Sequence, residues 1–211
     1  FTQVDLEISF ATEELVFSII EPLMVRLMAL VGHEPPRPFI RLPYAEAIAR
    51  YGSDKPDLRA GMEISNLSAA FEGSPFAVFR SAIESGGEVR GFVVPNAGKY
   101  SRREIDELVE QAKAFGAAGL VLARVADGAV QSSALKAAGE GPIRQALEAA
   151  GAKPSDLLLM AAGPHAATSK ILGQLRLHIA RKENMLDPQA YAFLWVVDFP
   201  MFEWLPEEGR Y

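Results

Sequence analysis

Ala152-Lys153-Pro154-Ser155-Asp156-Leu157-Leu158-Leu159-Met160-Ala161 is the stretch on which the fold turns. A polar turn runs into five consecutive apolar residues, the mark of a continuous apolar strand. Upstream of it, Gly119 to Val125 reads as another strand. Ser101-Arg102-Arg103-Glu104 is a capping box that opens a helix to about Phe115, with Ile105, Leu108 and Val109 inward. Pro142 suits the first position of a helix reaching Ala150. Earlier still, Phe76 to Glu84 and Glu88 to Pro95 read as two strands joined by the hairpin signal Ser85-Gly86-Gly87. Downstream, Pro164 opens a helix with Ile171, Leu172, Leu175 and Ile179 on one face, ending near Arg181 and Lys182, where cations suit the helix dipole. The order strand, strand, helix, strand, helix, strand, helix predicts an α+β sheet with helices on one face, in a module of roughly a hundred residues able to fold alone.

The flanks read differently. Thr12 caps a helix with Glu13 and Glu14 in its first turn and an expected inward stripe of Leu15, Ile19, Leu23, Leu27 and Val31, widened by Val16, Ile20 and Met24. Pro22 lies inside it, where a kink is expected. His33 to Pro38 is an extended connector, with His33 a solvated loop residue. Phe39 to Leu42 is a short strand, and Tyr44 to Tyr51 a short helix stopped by Gly52. The polar loop Gly52 to Arg59 is either a surface connector or a loop that offers Ser, Asp, Lys and Arg to a polar ligand. Ala192 to Val197 is an apolar strand expected to be buried on both faces, followed by a turn at Asp198-Phe199-Pro200, a second short strand Met201 to Trp204, and an acidic end at Glu207 and Glu208. A buried strand needs neighbours, and the best candidates lie before residue 70. The middle is therefore expected to be an insertion between two halves of one sheet, which divides the chain into 1–72, 73–185 and 186–211.

Composition sets bounds around this reading. The chain has 211 residues, 49% hydrophobic and 23% charged, which is ordinary for a folded domain or two. It has no cysteine, so disulfides, thiolate metal sites and thiol nucleophiles are excluded. It contains no apolar run of membrane-spanning length and no leader pattern, and it begins inside a strand pattern without Met, as expected of a piece of a longer chain. The net charge of −6 is uneven. Residues 1–75 hold six basic and eleven acidic residues, 76–182 fourteen and ten, and 183–211 one and six. The mildly basic middle does not by charge alone mark a nucleic-acid binder.

In Phe1 to Ser9, Thr2, Val4, Leu6 and Ile8 alternate with Gln3, Asp5, Glu7 and Ser9, the pattern of a strand with one buried face. The polar row either meets water or receives an ammonium or guanidinium group. Arg102 and Arg103 are either a solvated first turn or an RNA contact. His165 and His178, in or beside a helix, are expected to serve surface or packing roles. No His and carboxylate cluster has metal-site spacing.

Phe1-Thr-Gln-Val-Asp-Leu-Glu7, Tyr51-Gly-Ser-Asp-Lys-Pro-Asp-Leu-Arg59 and Phe193-Leu-Trp-Val-Val-Asp-Phe-Pro200 together resemble the bacterial-type aspartyl-tRNA synthetase family. The middle resembles that family's inserted domain, which is shared with an archaeal glutamyl-tRNA amidotransferase subunit. The resemblance implies a class II antiparallel catalytic sheet, activation of L-aspartate with ATP and Mg2+, transfer to tRNA, a homodimer and a cytoplasmic setting. It places Asp5 near the α-ammonium of the bound amino acid and Gln3 beside it. It puts the ATP-gripping arginine of the second motif before Phe1, and the histidine-rich loop and third motif after Tyr211. This chain is thus expected to carry no catalytic, ATP-holding or metal-holding residue, and to be inactive alone. The alternative is a non-catalytic RNA- or protein-binding module built on the insert, as in a tRNA-dependent amidotransferase subunit.

Overall fold

A computed structural model describes residues 2–202 and 208–210; Phe1, Trp204 and Glu207 lie outside them. The chain divides into two compact units, Phe1–Arg41 with Tyr191–Trp195, and Leu42–Ala190 with Val196–Tyr211.

In the first unit, α1 (Glu13–Ala29) starts at Thr12, whose hydroxyl accepts from the Leu15 amide. The helix passes through Pro22 and buries Phe17, Glu21 and Met28. Most of the expected inward stripe is turned to solvent instead: Leu15, Ile19, Leu27 and Val31 are exposed, and Leu23 is half-buried. What packs on α1 here is Trp195, whose ring lies 4.6 Å from that of Phe17, so the buried face follows residues 17, 21 and 28. Phe39 stacks on Phe193 at 5.1 Å. β1 (Ile40–Pro43) and β7 (Leu194–Val197) form a two-stranded sheet, and β7 is half-buried along its length rather than covered on both faces.

Thr2 to Ile8 is not a strand. No described strand pairs with it, and Val4 and Leu6 are 73% and 43% exposed. Alternation alone does not make a strand, because unpaired N–H and C=O groups and an uncovered apolar face leave it without stabilisation. Met201 and Phe202 are likewise exposed and outside any strand, and the remainder of the strand expected there falls outside the described residues.

The second unit bears out the α+β class. α2 (Tyr44–Tyr51) ends at Gly52 in the left-handed conformation. There follow β2 (Ser65–Asn66), α3 (Ala77–Glu84), β3 (Glu88–Val94), α4 (Arg102–Ala114), β4 (Val121–Ala126), β5 (Ala129–Ser132), α5 (Leu135–Ala138), α6 (Glu140–Ala149), β6 (Leu157–Gly163) and α7 (His165–Lys182). The sheet order is β2-β3-β6-β4-β5, antiparallel throughout, with Phe92 and Leu122 both opposite Leu159 on β6. β3 and β4 thus run the same way on either side of β6.

Helices cover both faces of this sheet, not one. Leu157, Leu159 and Ala161 join Phe92, Val94 and Leu122 against Leu108 of α4 and Leu172, Leu175 and Ile179 of α7. Leu158 and Met160 face the other way, with Val89, Ala123 and Val130, onto Phe79 of α3 and Ile143, Ala146 and Leu147 of α6. A run of five apolar residues is what a strand needs when neither face meets water. The second layer is supplied partly by α3, where a strand was expected. Phe76, Phe79 and Ile83 recur at three and four residues, and all join this core. The expected hairpin at Ser85-Gly86-Gly87 is therefore a helix-to-strand turn. The hairpin present is β4-β5, turned by Asp127 and Gly128 with φ of 51° and 78°.

Candidate functional site

Gln3 and Asp5 stand exposed on the extended segment that precedes α1, and among the described residues neither side chain has a hydrogen-bonding or ionic partner. Glu7 is exposed in the same row. The polar row is present without a sheet beneath it. Elsewhere in the first unit the polar chemistry converges on Glu21, only 4% exposed. Its Oε1 accepts from the Phe39 amide at 3.2 Å and from the Trp195 indole N–H at 3.1 Å, and Arg37 Nε lies 3.6 Å from Oε2. His33 meets the edge of Tyr191 at 4.7 Å rather than standing free in solvent.

The polar loop after α2 belongs to the second unit, where it is held from several sides. Gly52 lies so close to α7 that a Cβ on it would fall 2.0 Å from the Ser169 carbonyl oxygen, and one on Gly173 would fall 2.4 Å from the Tyr51 carbonyl oxygen. Arg176, fully buried on α7, donates from Nε to the Gly61 carbonyl at 2.8 Å and from Nη2 to the Asp57 carbonyl at 2.5 Å. Its guanidinium lies 5.1 Å from the centre of the Tyr51 ring, a cation–π approach. Arg59 is chelated by Asp57 and also reaches the carbonyls of Asp187 and Ala190. Glu63 accepts both guanidinium bonds of Arg50 at 2.9 Å and the Tyr51 hydroxyl at 2.8 Å. The Arg50 guanidinium holds the Glu63 carboxyl below the usual carboxylate range, and Arg59 does the same for Asp57. Burial, with Glu63 as acceptor, pushes the Tyr51 hydroxyl up. Of the residues the loop was expected to offer, Asp57 and Arg59 are engaged with the protein, and Ser53 accepts the Lys55 amide at 3.0 Å. Lys55 is exposed.

A second charged cluster sits where β3 meets the start of α7. Arg90, 4% exposed, pairs with Glu88, lies 3.1 Å from His165 Nδ1, and donates to the Ala49 carbonyl of α2 at 2.8 Å. His165 Nδ1 is 3.0 Å from Glu88. Burial opposes ionisation of Glu88, but Arg90 and His165 draw its carboxyl below the usual range. Glu88 is thus the anion that meets the first turn of α7. Arg102 and Arg103 form the exposed first turn of α4, with Arg103 paired to Glu107 at 3.0 Å, and His178 lies edge-on to Phe115.

Sequence reading had not singled out Arg176, Arg90 or Glu21. One signal was available for Arg176: with Leu172, Leu175 and Ile179 it occupies the inward positions of α7, where a cation must be buried and paired. Among the described residues no group of three or more His, Asp or Glu side chains is placed to hold a metal ion, and no helix is long and apolar enough to cross a membrane.

Residues 79–172 match the GAD domain family. Over its whole length the chain is 43% identical to the aspartate--tRNA(Asp/Asn) ligase of Caldanaerobacter subterraneus subsp. tengcongensis. It is 41% identical to the ligases of the same name from Symbiobacterium thermophilum and Persephonella marina. The chain spans 35–36% of the length of these relatives. Residues 79–172 are thus similar to the GAD domain family, and the chain is similar from end to end to a segment of these aspartate–tRNA ligases.

Proposed function

We propose that this chain is a segment of an aspartate–tRNA ligase, the whole of which activates L-aspartate with ATP and passes the aspartyl group to tRNA. What carries this reading is similarity of 41–43% that extends through the flanks as well as the GAD domain. A freestanding GAD-type binding module, the other reading, would leave the similarity of residues 2–41 and 191–202 unaccounted for. The relatives' names include both Asp and Asn tRNA, and the reading extends to both.

In this proposal residues 1–72 and 186–211 belong to the catalytic part and 73–185 to the insert. Asp5 receives the α-ammonium of aspartate, with Gln3 beside it. An ammonium ion leaving water needs a charged acceptor, and a carboxylate with no partner among the described residues is available for that role. The substrate carboxylate is itself the nucleophile toward ATP, so the protein's task is positioning and charge stabilisation rather than proton abstraction. Mg2+, a homodimer and a cytoplasmic setting belong to the same proposal.

The test is calorimetric titration of aspartate into the full-length ligase and its Asp5→Ala variant. Loss of a charged hydrogen bond is expected to weaken binding at least about ten-fold. Unchanged affinity would remove Asp5 from the site.

A further inference from the structure

We infer that residues 52–63 are held in place by a latch on α7: Arg176, with the Gly52–Gly173 seam beneath it, orders a loop that its own composition leaves without a core. The inference is independent of the ligase reading.

Ordering a backbone costs about 1–2 kcal/mol per residue, so a dozen residues need substantial compensation. Between Gly52 and Glu63 only Ala60 is buried, and Met62 near the far end packs partly against the core, so apolar burial leaves most of the loop unanchored. The loop is tied instead by polar contacts. Arg176 reaches two of its carbonyls, Asp57 and Gly61, from a position with no exposed surface. These acceptors lie four residues apart, and one planar guanidinium spans them. A lysine ammonium at this site cannot hold both carbonyls in that geometry. Among the described residues no carboxylate is bonded to Arg176. Its charge is offset by the two carbonyl dipoles, the Tyr51 ring, and Glu63 and Asp57 nearby. The backbones of α2 and α7 meet at Gly52 and Gly173, with no room for a Cβ on either, which fixes the height at which Arg176 meets the loop.

The matched GAD region ends at residue 172, four positions before this arginine. The latch therefore lies beyond the matched family region yet on the same helix that lines its core. A region anchored this way is not pendant, because removing α7 (His165–Lys182) releases a segment that precedes this helix by more than a hundred residues in sequence.

The test is hydrogen exchange on this chain with Arg176→Met and Arg176→Lys, followed in peptides covering 52–63 and 157–161. Both variants are expected to exchange at least about ten-fold faster in 52–63 while 157–161 keeps its protection. Unchanged exchange in 52–63, equal acceleration in both regions, or failure of both variants to fold would overturn the latch.

Discussion

At the scale of single residues, Glu21 shows how a carboxylate comes to lie inside a helix face that reads as apolar. Phe17, Glu21 and Met28 share the buried side of α1, and Glu21 satisfies two donors separated widely in sequence, the Phe39 amide and the Trp195 indole. Glu21→Ala would leave both without an acceptor, at about 1–3 kcal/mol each. Thermal denaturation should show a clear fall in midpoint, and Glu21→Gln, which keeps one carbonyl oxygen, should lose less. Equal midpoints for wild type and Glu21→Ala would mean that solvent satisfies these donors. The partners of Glu21 and Arg176 were not legible in the sequence, for one physical reason. Apolar periodicity marks an inward face, but the partner that makes a buried charge tolerable comes from elsewhere in the chain. The exposed pair Gln3 and Asp5 was legible as a polar row and nothing more, since the row acquires meaning only from a ligand.

At the scale of elements, local signals were read well where they were self-contained. α2 ends at Gly52 as expected, and the Ser101 capping box is present with both reciprocal bonds. α3 was misread because its phenylalanines and Val78 suit a strand by composition, while their three- and four-residue spacing suits a helix. The β4-β5 hairpin was missed although Asp127-Gly128 announces it. Glycines divide the same way, by local or tertiary demand. Gly86, at φ +79°, has open space around it, so Gly86→Ala should cost only the left-handed penalty of about 1 kcal/mol. Gly52, at φ +68°, faces the α7 backbone, and Gly52→Ala should cost at least about 3 kcal/mol as the two helices are forced apart. Chemical denaturation of the two variants checks this, and similar losses would show that the seam yields without strain.

At the scale of the whole molecule, the charge that sequence analysis could only count becomes directional. Asp57, Glu63 and Glu88 are all held below their ordinary values of 3.8 and 4.5 by arginines that belong to the fold. A depressed acid contributes stability that is complete above its ordinary value and is lost as pH falls through its folded value. The urea midpoint should therefore hold steady from neutrality down to about pH 5 and then decline. A decline beginning near pH 6 would show that these three carboxylates do not set the acid limit. The α+β class of the middle of the chain was legible in its order of elements. Its second helical layer was not, because reading α3 as a strand left too few helices for two faces. The apolar run Leu157 to Ala161 already asked for both. The position of that run in the sheet also governs how the chain is made. β6 is the central strand, yet it is the last of the five to be synthesised, so β3 and the β4-β5 hairpin leave the ribosome with their inner edges unpaired. The sheet closes through non-local pairings, Phe92 and Leu122 with Leu159 among them, a topology that folds slowly. During translation those waiting edges are the places where a nascent chain is most open to the wrong partner and most in need of a chaperone.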